Sequence, residues 1–357
     1  MKILIVGNWR SLIHEEPLKR GLIKNKCVIE EFKWHTYFSS TSNVFFNYLR
    51  RFLYKMTIGP DVKKVNRDIV SFIKEKEFDA IFFYRPNIIK WKTIFKIKKE
   101  HPLLIIAAYN NDNPFSSKYN WYSWIKFKRA IKFYDIIFSY RPKNIEQYKK
   151  KGAKKVFLLP PWFDPNLNYP IKSTPVEEKT YKHNLVFIGH FEDDGRIDLI
   201  RRIVLEGFEF SLFGPGWNKV IKNDKILSKF YPVHNLTILD YNKILNYSNL
   251  ALVIYSGLNE DVYTRRCFEI PATMTPMIAK RTNEMMSFYE EDKEAIFFSN
   301  EDELINKLKF YLNNIDLLKS IGVQGYKRAV KSGYDVHSRS RYLLNKLEEK
   351  KMSYKQN

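Results

Sequence analysis

Residues 164–196 read DPNLNYPIKSTPVEEKTYKHNLVFIGHFEDDGR. The first part, 164–182, holds three prolines and little apolar periodicity, which marks a linker. From Asn184 the chain starts again: an apolar run to Gly189, a polar glycine turn, then an amphipathic stretch over Asp198–Leu205. A strand, a turn and a helix that begin afresh after a linker predict a second α/β domain. Working back from the linker, strands are expected at Lys2–Gly7, Cys27–Phe32, Asp79–Tyr84, Leu103–Tyr109, Asp135–Tyr140 and Lys155–Leu159, with helical patterns between them. Working forward, strands are expected at Asn184–Gly189, Phe208–Phe213, Leu236–Leu239, Ala251–Tyr255, Met277–Ala279 and Ala295–Phe298. A helix is expected around Arg265–Thr273, and three more close the chain. The fold class is therefore α/β, with two Rossmann-like doubly wound domains facing a central cleft: 1–163, the linker 164–182, and 183–337.

Composition agrees with this division. At 357 residues the chain suits two domains, and its 45% hydrophobic content suffices for two cores. Two cysteines cannot build a disulfide framework, so a reducing, cytoplasmic setting is expected. The opening MKILIVGNWR has too short an apolar run for a secretory signal and reads as a first strand. No apolar run is long enough to span a bilayer. The net charge of +22 is uneven: residues 1–150 carry 30 Lys and Arg against 13 Asp and Glu, whereas the rest is near balance. That asymmetry suits an acidic partner, whether an acidic glycan, a lipid-linked phosphate or an anionic membrane surface. With 44 lysines to 17 arginines, base readout is disfavoured and no nucleic-acid partner is expected.

Two features of the first half bear on that partner. Residues 34–56, WHTYFSSTSNVFFNYLRRFLYKM, set aromatic side chains around Arg50, Arg51 and Lys55, a pattern suited to an anionic membrane surface as well as to ordinary packing. Peripheral attachment to the inner face of the membrane is expected on that ground. The run Asp79-Ala-Ile-Phe-Phe-Tyr84-Arg85-Pro86 is echoed by Asp135-Ile-Ile-Phe-Ser-Tyr140-Arg141-Pro142. Ligands of open α/β sheets bind beyond the carboxyl ends of strands, which makes Arg85 and Arg141 acceptor-binding candidates.

Several reactions are excluded by missing motifs: there is no Walker loop, no dinucleotide fingerprint and no nucleophile elbow, and the seven histidines form no zinc-like cluster. What remains lies mostly in the second half. Gly189 and His190 end the restarted strand, and Arg196 follows a glycine turn where free backbone amides and a guanidinium suit a diphosphate. Gly214 and Gly216 in Phe213-Gly-Pro-Gly-Trp217 allow close ligand approach. The run from Asn259 to Ala272, NEDVYTRRCFEIPA, is the most specific. Its Glu269 could accept the two hydroxyls of a nucleotide ribose, while Arg265 or Arg266 could offset phosphate charge.

The runs FIGHFEDDGR, FGPGW and DVYTRRCFEIPA, with the later Glu294-Ala-Ile-Phe-Phe298, resemble the C-terminal half of CgeB-like, spore-maturation-type glycosyltransferases. These are relatives of the large retaining glycosyltransferase group with the GT-B fold. Asp261-x7-Glu269 is similar in spacing to that group's E-x7-E motif, with Asp in the first place. The resemblance covers about residues 135–335. It implies that Glu269 binds the donor ribose, that Arg196 and Gly189 hold the diphosphate, that Gly214 lies near the base or phosphates, and that Asp261 lies near the transferred sugar. His190, Tyr263 and Thr264 join the donor-binding candidates. It also implies no metal requirement and a final helix, 338–357, that crosses back onto the N-terminal domain. One departure is Thr273-Met274-Thr275, where the larger group has a glycine; a left-handed turn there would be strained by Met274.

The function expected is transfer of a sugar, of the hexosyltransferase kind, from a UDP-, GDP- or dTDP-linked donor to an acceptor hydroxyl, with no cofactor and with a lean toward retention. In the first half Gly7 and Asn8 of the opening VGNW are acceptor-binding candidates. Asp112, at the end of Tyr109-Asn-Asn-Asp112, is the candidate for handling the acceptor hydroxyl, and with Asp261 makes the catalytic pair. The competing readings are a nucleotide-sugar epimerase of the same fold and a non-enzymatic protein that binds nucleic acid or an anionic surface.

Overall fold

The computed structural model describes residues 1–38, 44–172 and 174–356. The chain divides into two compact units, Met1–Pro160 with Val336–Asn357, and Pro161–Asp335. Among the described residues each unit carries one parallel sheet.

The first unit holds β1 (Lys2–Gly7), β2 (Val28–Lys33), β3 (Ala80–Tyr84), β4 (Ile105–Asn110), β5 (Ile136–Ser139) and β6 (Val156–Leu158), in the spatial order β2-β1-β3-β4-β5-β6. Strands β3, β4 and β5 are buried along their whole length, which is why they read as unbroken apolar runs rather than alternating ones. Helices such as Pro60–Lys74 and Trp91–Glu100 cover the sheet, spacing Val62, Val65, Ile69 and Ile73, or Ile94 and Ile97, into the core. The last helix, Val336–Lys355, belongs to this unit. It packs along the helix Glu15–Lys24, where Asn25 Nδ2 donates to His337 O at 3.0 Å. Near its end Lys351 Nζ reaches Asp79 Oδ1 at 2.6 Å, and Tyr354 accepts from Lys98.

The second unit holds β7 (His183–Ile188), β8 (Phe210–Phe213), β9 (Ser248–Val253), β10 (Met277–Lys280) and β11 (Ile296–Phe298), in the order β11-β10-β9-β7-β8. Residues 164–182, expected as a linker, are part of this unit. Ile171 N donates to Asn246 Oδ1 and Tyr169 N to Asn242 Oδ1, and Thr174 caps a short helix, Pro175–Tyr181. The strand expected at Leu236–Leu239 is not formed. Thr237 instead accepts from Asp240 N and opens the helix Ile238–Asn246. Thr with an acidic residue three places on is a helix-start signal, and it outweighs the apolar run around it.

The aromatic, basic segment 34–56 forms a 3-10 turn at Trp34–Phe38 and a helix at Val44–Lys55; its residues 39–43 lie outside the described residues. Val44, Phe45, Tyr48 and Phe52 are exposed on that helix, while Arg50 is tied to Asp61 at 2.9 Å and to Tyr37 O at 2.7 Å. No helix among the described residues is long and apolar enough to cross a membrane.

Candidate functional site

In each sheet the strand order reverses once, and a crevice is expected where the loops leaving the carboxyl ends diverge. In the second unit that point lies between β7 and β9. The loops after β7 and β9 are also where most of the donor-site candidates fall.

Those loops are stitched together. Glu192 accepts from Ser256 Oγ at 2.8 Å and pairs with His190 Nε2 at 2.7 Å, and Asp194 Oδ2 accepts from Gly257 N at 3.0 Å. Burial alone would raise the Glu192 pKa, but the bonds from His190 and Ser256 and the charge of Arg196 bring it down to about 2. Arg196, expected to clamp a diphosphate, is 4% exposed and turned into the protein. Its guanidinium makes a bidentate pair with Asp194 (2.7 and 2.6 Å) and donates to His190 O at 2.6 Å. The geometry thus makes Arg196 the brace of the loop rather than a free donor to a ligand. The loop after β8 joins the same edge. Gly214 sits at φ +122°, and a Cβ there would stand 2.4 Å from Gly189 O, so only glycine fits. Gly189 O also accepts from Trp217 Nε1 at 2.8 Å.

After β9 the chain turns through Asp261, whose backbone N donates to Ser256 O at 3.0 Å. Thr264 O accepts from Cys267 N and starts the short helix Arg266–Glu269. Tyr263, expected to touch the donor, is buried in a ring cluster with Phe268 and Phe288 and belongs to the core. Glu269 is 9% exposed; its Oε2 accepts from Tyr241 Oη at 2.9 Å and its Oε1 lies 3.9 Å from Arg265 Nε. Burial and the neighbouring carboxylate hold the Tyr241 hydroxyl far above its ordinary pKa, so it stays a donor. Arg265 lies over the Trp162 ring at 5.6 Å. Arg266 Nε is buried and has no hydrogen-bond partner, a donor that calls for an acceptor. The chain then passes through Met274 at φ +60°, the left-handed position its sequence makes costly.

In the first unit the strand order reverses between β1 and β3. The two Tyr-Arg-Pro strand ends flank β4, and both arginines reach the loop that leaves it: Arg85 Nη2 lies 2.5 Å from Asp112 Oδ2, and Arg141 Nη2 donates to Asn111 O at 3.0 Å. Tyr84, Tyr109 and Tyr140 form a row along this edge, with ring centroids 5.3 and 6.4 Å apart. Arg141, expected to face a ligand, is 2% exposed and stacked over Tyr140 at 4.4 Å, so it supports the loop from below. Arg85 remains half-exposed, on backbone held at φ +51°.

Two residues at these edges escape sequence reasoning. One is Tyr241, which lies 28 positions from Glu269 on another helix. The other is Glu15. Its Oε1 accepts from Asn8 N at 2.8 Å, and a Cβ on Gly7 would stand 2.6 Å from it. Asn8 Nδ2 donates onward to Tyr54 Oη at 3.1 Å. Burial raises the Glu15 pKa against the pull of nearby backbone amides and Arg85. In the sequence Glu15 reads only as an acidic residue at a helix start; its burial depends on Gly7, which the local pattern does not reveal.

Comparison with known proteins bears on this arrangement. Residues 196–345 match the family model described as glycosyl transferase-like. Sequence comparison with curated proteins finds no match. Among solved structures, sucrose-phosphate synthase from Thermosynechococcus elongatus superposes with a TM-score of 0.72 at 10% identity, covering 98% of each chain. HepE from Anabaena, solved in complex with UDP-glucose, gives 0.67 at 11% identity over 98% of this chain and 100% of that one. A glycosyltransferase from Rickettsia africae gives 0.64 at 14% identity over 98% of each chain. The fold is GT-B. Within the GT-B chain the family match begins at Arg196 itself and covers the Glu269 helix with Tyr241 and the first half of the last helix.

Proposed function

We propose that this protein is a glycosyltransferase of the CgeB-like kind, moving a hexose from a nucleotide-sugar to an acceptor hydroxyl without a metal. The observation that carries the reading is the Glu269 carboxylate, held by Tyr241 and flanked by Arg265, with Arg266 Nε buried and unpaired one turn away. A carboxylate so fixed suits two vicinal ribose hydroxyls, and an unmatched guanidinium donor suits a phosphate oxygen. Asp261, at the turn that precedes them, is assigned to the transferred sugar, with His190, Thr264, Gly189 and Gly214 lining the donor. Because HepE was solved with UDP-glucose, UDP-sugars are the first donors to test.

The acceptor is assigned to the first unit, at the edge formed by Gly7, Asn8, Arg85 and Asp112. There Asp112, oriented by Arg85, receives or positions the hydroxyl. An acidic glycan or lipid-linked acceptor suits the basic surface of this half. The exposed aromatic face of Val44–Lys55 is assigned to an anionic membrane surface at the cytoplasmic side.

A thermal-shift series with UDP, GDP, CMP, dTDP and ADP, with and without magnesium, tests the reading. A nucleotide at a hundred times its Kd stabilises the fold by about 2.7 kcal/mol. One metal-independent hit supports the transferase; silence from folded protein overturns it. Conversion of a free nucleotide-sugar in the absence of any acceptor would point to an epimerase instead.

A further inference from the structure

A second group of cations in the first unit lines a groove formed by other residues than the Arg85–Asp112 edge. This groove, of about 760 Å³, opens against the helix Trp91–Glu100 and the segment Ile125–Phe133. Four of its eight lining residues are cations, Lys128, Arg129, Lys132 and Lys151, and none is a carboxylate. Its apolar wall includes Trp91 and Phe133, stacked with centroids 5.9 Å apart and planes 16° from parallel. Both rings are only partly buried, and Lys132 Nζ lies 5.3 Å over the Phe133 ring, which sets a cation beside the aromatic wall.

Crowding like charges around an aromatic wall costs energy unless something anionic enters. The Lys128 ammonium registers that cost: burial, and then the charge of Lys151, hold its pKa below the ordinary lysine value. The volume falls in the range of small-ligand sites and accommodates a few sugar rings. A planar bilayer cannot enter a groove of this size. Three of the four cations are lysines, compact charges that suit carboxylate, sulfate or phosphate groups along a chain more than the edges of bases.

We propose that this groove binds an anionic saccharide, with a sugar face against Trp91 and Phe133 and its acid groups among Lys128, Arg129, Lys132 and Lys151. If the transferase reading holds, the groove selects an acidic acceptor; the binding itself does not depend on that reading.

Calorimetric titration of the full chain with an oligogalacturonate tetramer, neutral cellotetraose and single-stranded octathymidylate tests the proposal. The acidic tetramer should bind, the neutral one should not, and binding should weaken as salt rises. The variant Lys128→Gln/Lys151→Gln, which alters no core side chain, should bind the acidic tetramer at least about tenfold more weakly. Equal binding of both sugars, an unchanged double variant, or tighter binding of octathymidylate than of the acidic tetramer would each overturn the proposal. UDP affinity measured on the same variant should not move. Failure of the wild type to bind any nucleotide would count against the transferase and leave the groove assignment standing.

Discussion

The Tyr241 hydroxyl donates to Glu269 Oε2 at 2.9 Å from a helix that ends well before the acidic motif begins. This fixes one carboxylate oxygen and leaves the orientation of the other to Arg265. Replacing Glu269 with Ala should leave the fold intact and weaken UDP binding at least about tenfold, near 1.4 kcal/mol. Tyr241→Phe should cost about 1 kcal/mol of stability and weaken UDP binding less, because the carboxylate itself remains. Calorimetry checks both, and an unchanged affinity in Glu269→Ala would remove the ribose assignment.

The Arg85–Asp112 pair separates acceptor chemistry from donor binding. Asp112→Asn keeps the shape and removes the charge. Transfer to an acceptor should fall about a hundredfold, within the range for loss of an acid–base or positioning group, while UDP affinity stays constant. Full transfer activity in this variant would assign the acceptor hydroxyl elsewhere.

Met274 tests how much the left-handed turn costs. Glycine at this position should be neutral or stabilising by up to about 1 kcal/mol, since relief of strain offsets the added freedom of the unfolded chain. Valine, branched at Cβ, should destabilise by more than about 1 kcal/mol. Denaturant unfolding distinguishes them, and equal stabilities would show that the turn carries no strain.

Acid should loosen the second unit through Glu192. Its folded pKa, near 2, lies below the unfolded value, so the folded state binds fewer protons between the two. Its contribution, about 2–3 kcal/mol, is complete above about pH 5 and is lost as pH falls toward 2. Glu192→Gln should flatten the stability–pH curve in that interval, and an identical curve would refute the link.

For the membrane assignment the exposed cations are the ones to change. Arg50 is engaged by Asp61, so Arg51→Glu with Lys55→Glu is the informative pair. Sedimentation with anionic vesicles should drop several-fold relative to wild type. No drop would assign the exposed aromatic face to something other than a bilayer.

Both sheets were legible in the sequence because their central strands are largely buried and read as apolar runs, whereas the edge strand β2, with Glu30 and Glu31, is only partly buried; β1 falls on the expected residues, Lys2–Gly7. The helix Ile238–Asn246 was misread because its apolar start resembles a short strand, although Thr237 and Asp240 carried the contrary signal. At the site, the composition of the loops after β7 and β9 was visible, but the use of each side chain was not. Arg196 looked like a ligand donor because its spacing from Asp194 says nothing of the bidentate pair they form. Tyr241 and Glu15 act through contacts that only the tertiary fold brings about.

The return of residues 336–355 to the first unit has a consequence for biosynthesis. The second unit, 161–335, is continuous in sequence and draws on no segment outside those bounds. The first unit emerges earlier, yet its helix Glu15–Lys24 must wait for a partner encoded more than three hundred residues downstream. Until then the face meant for that partner is a natural target for a chaperone, and the half of the protein that leaves the ribosome first is the last to be finished.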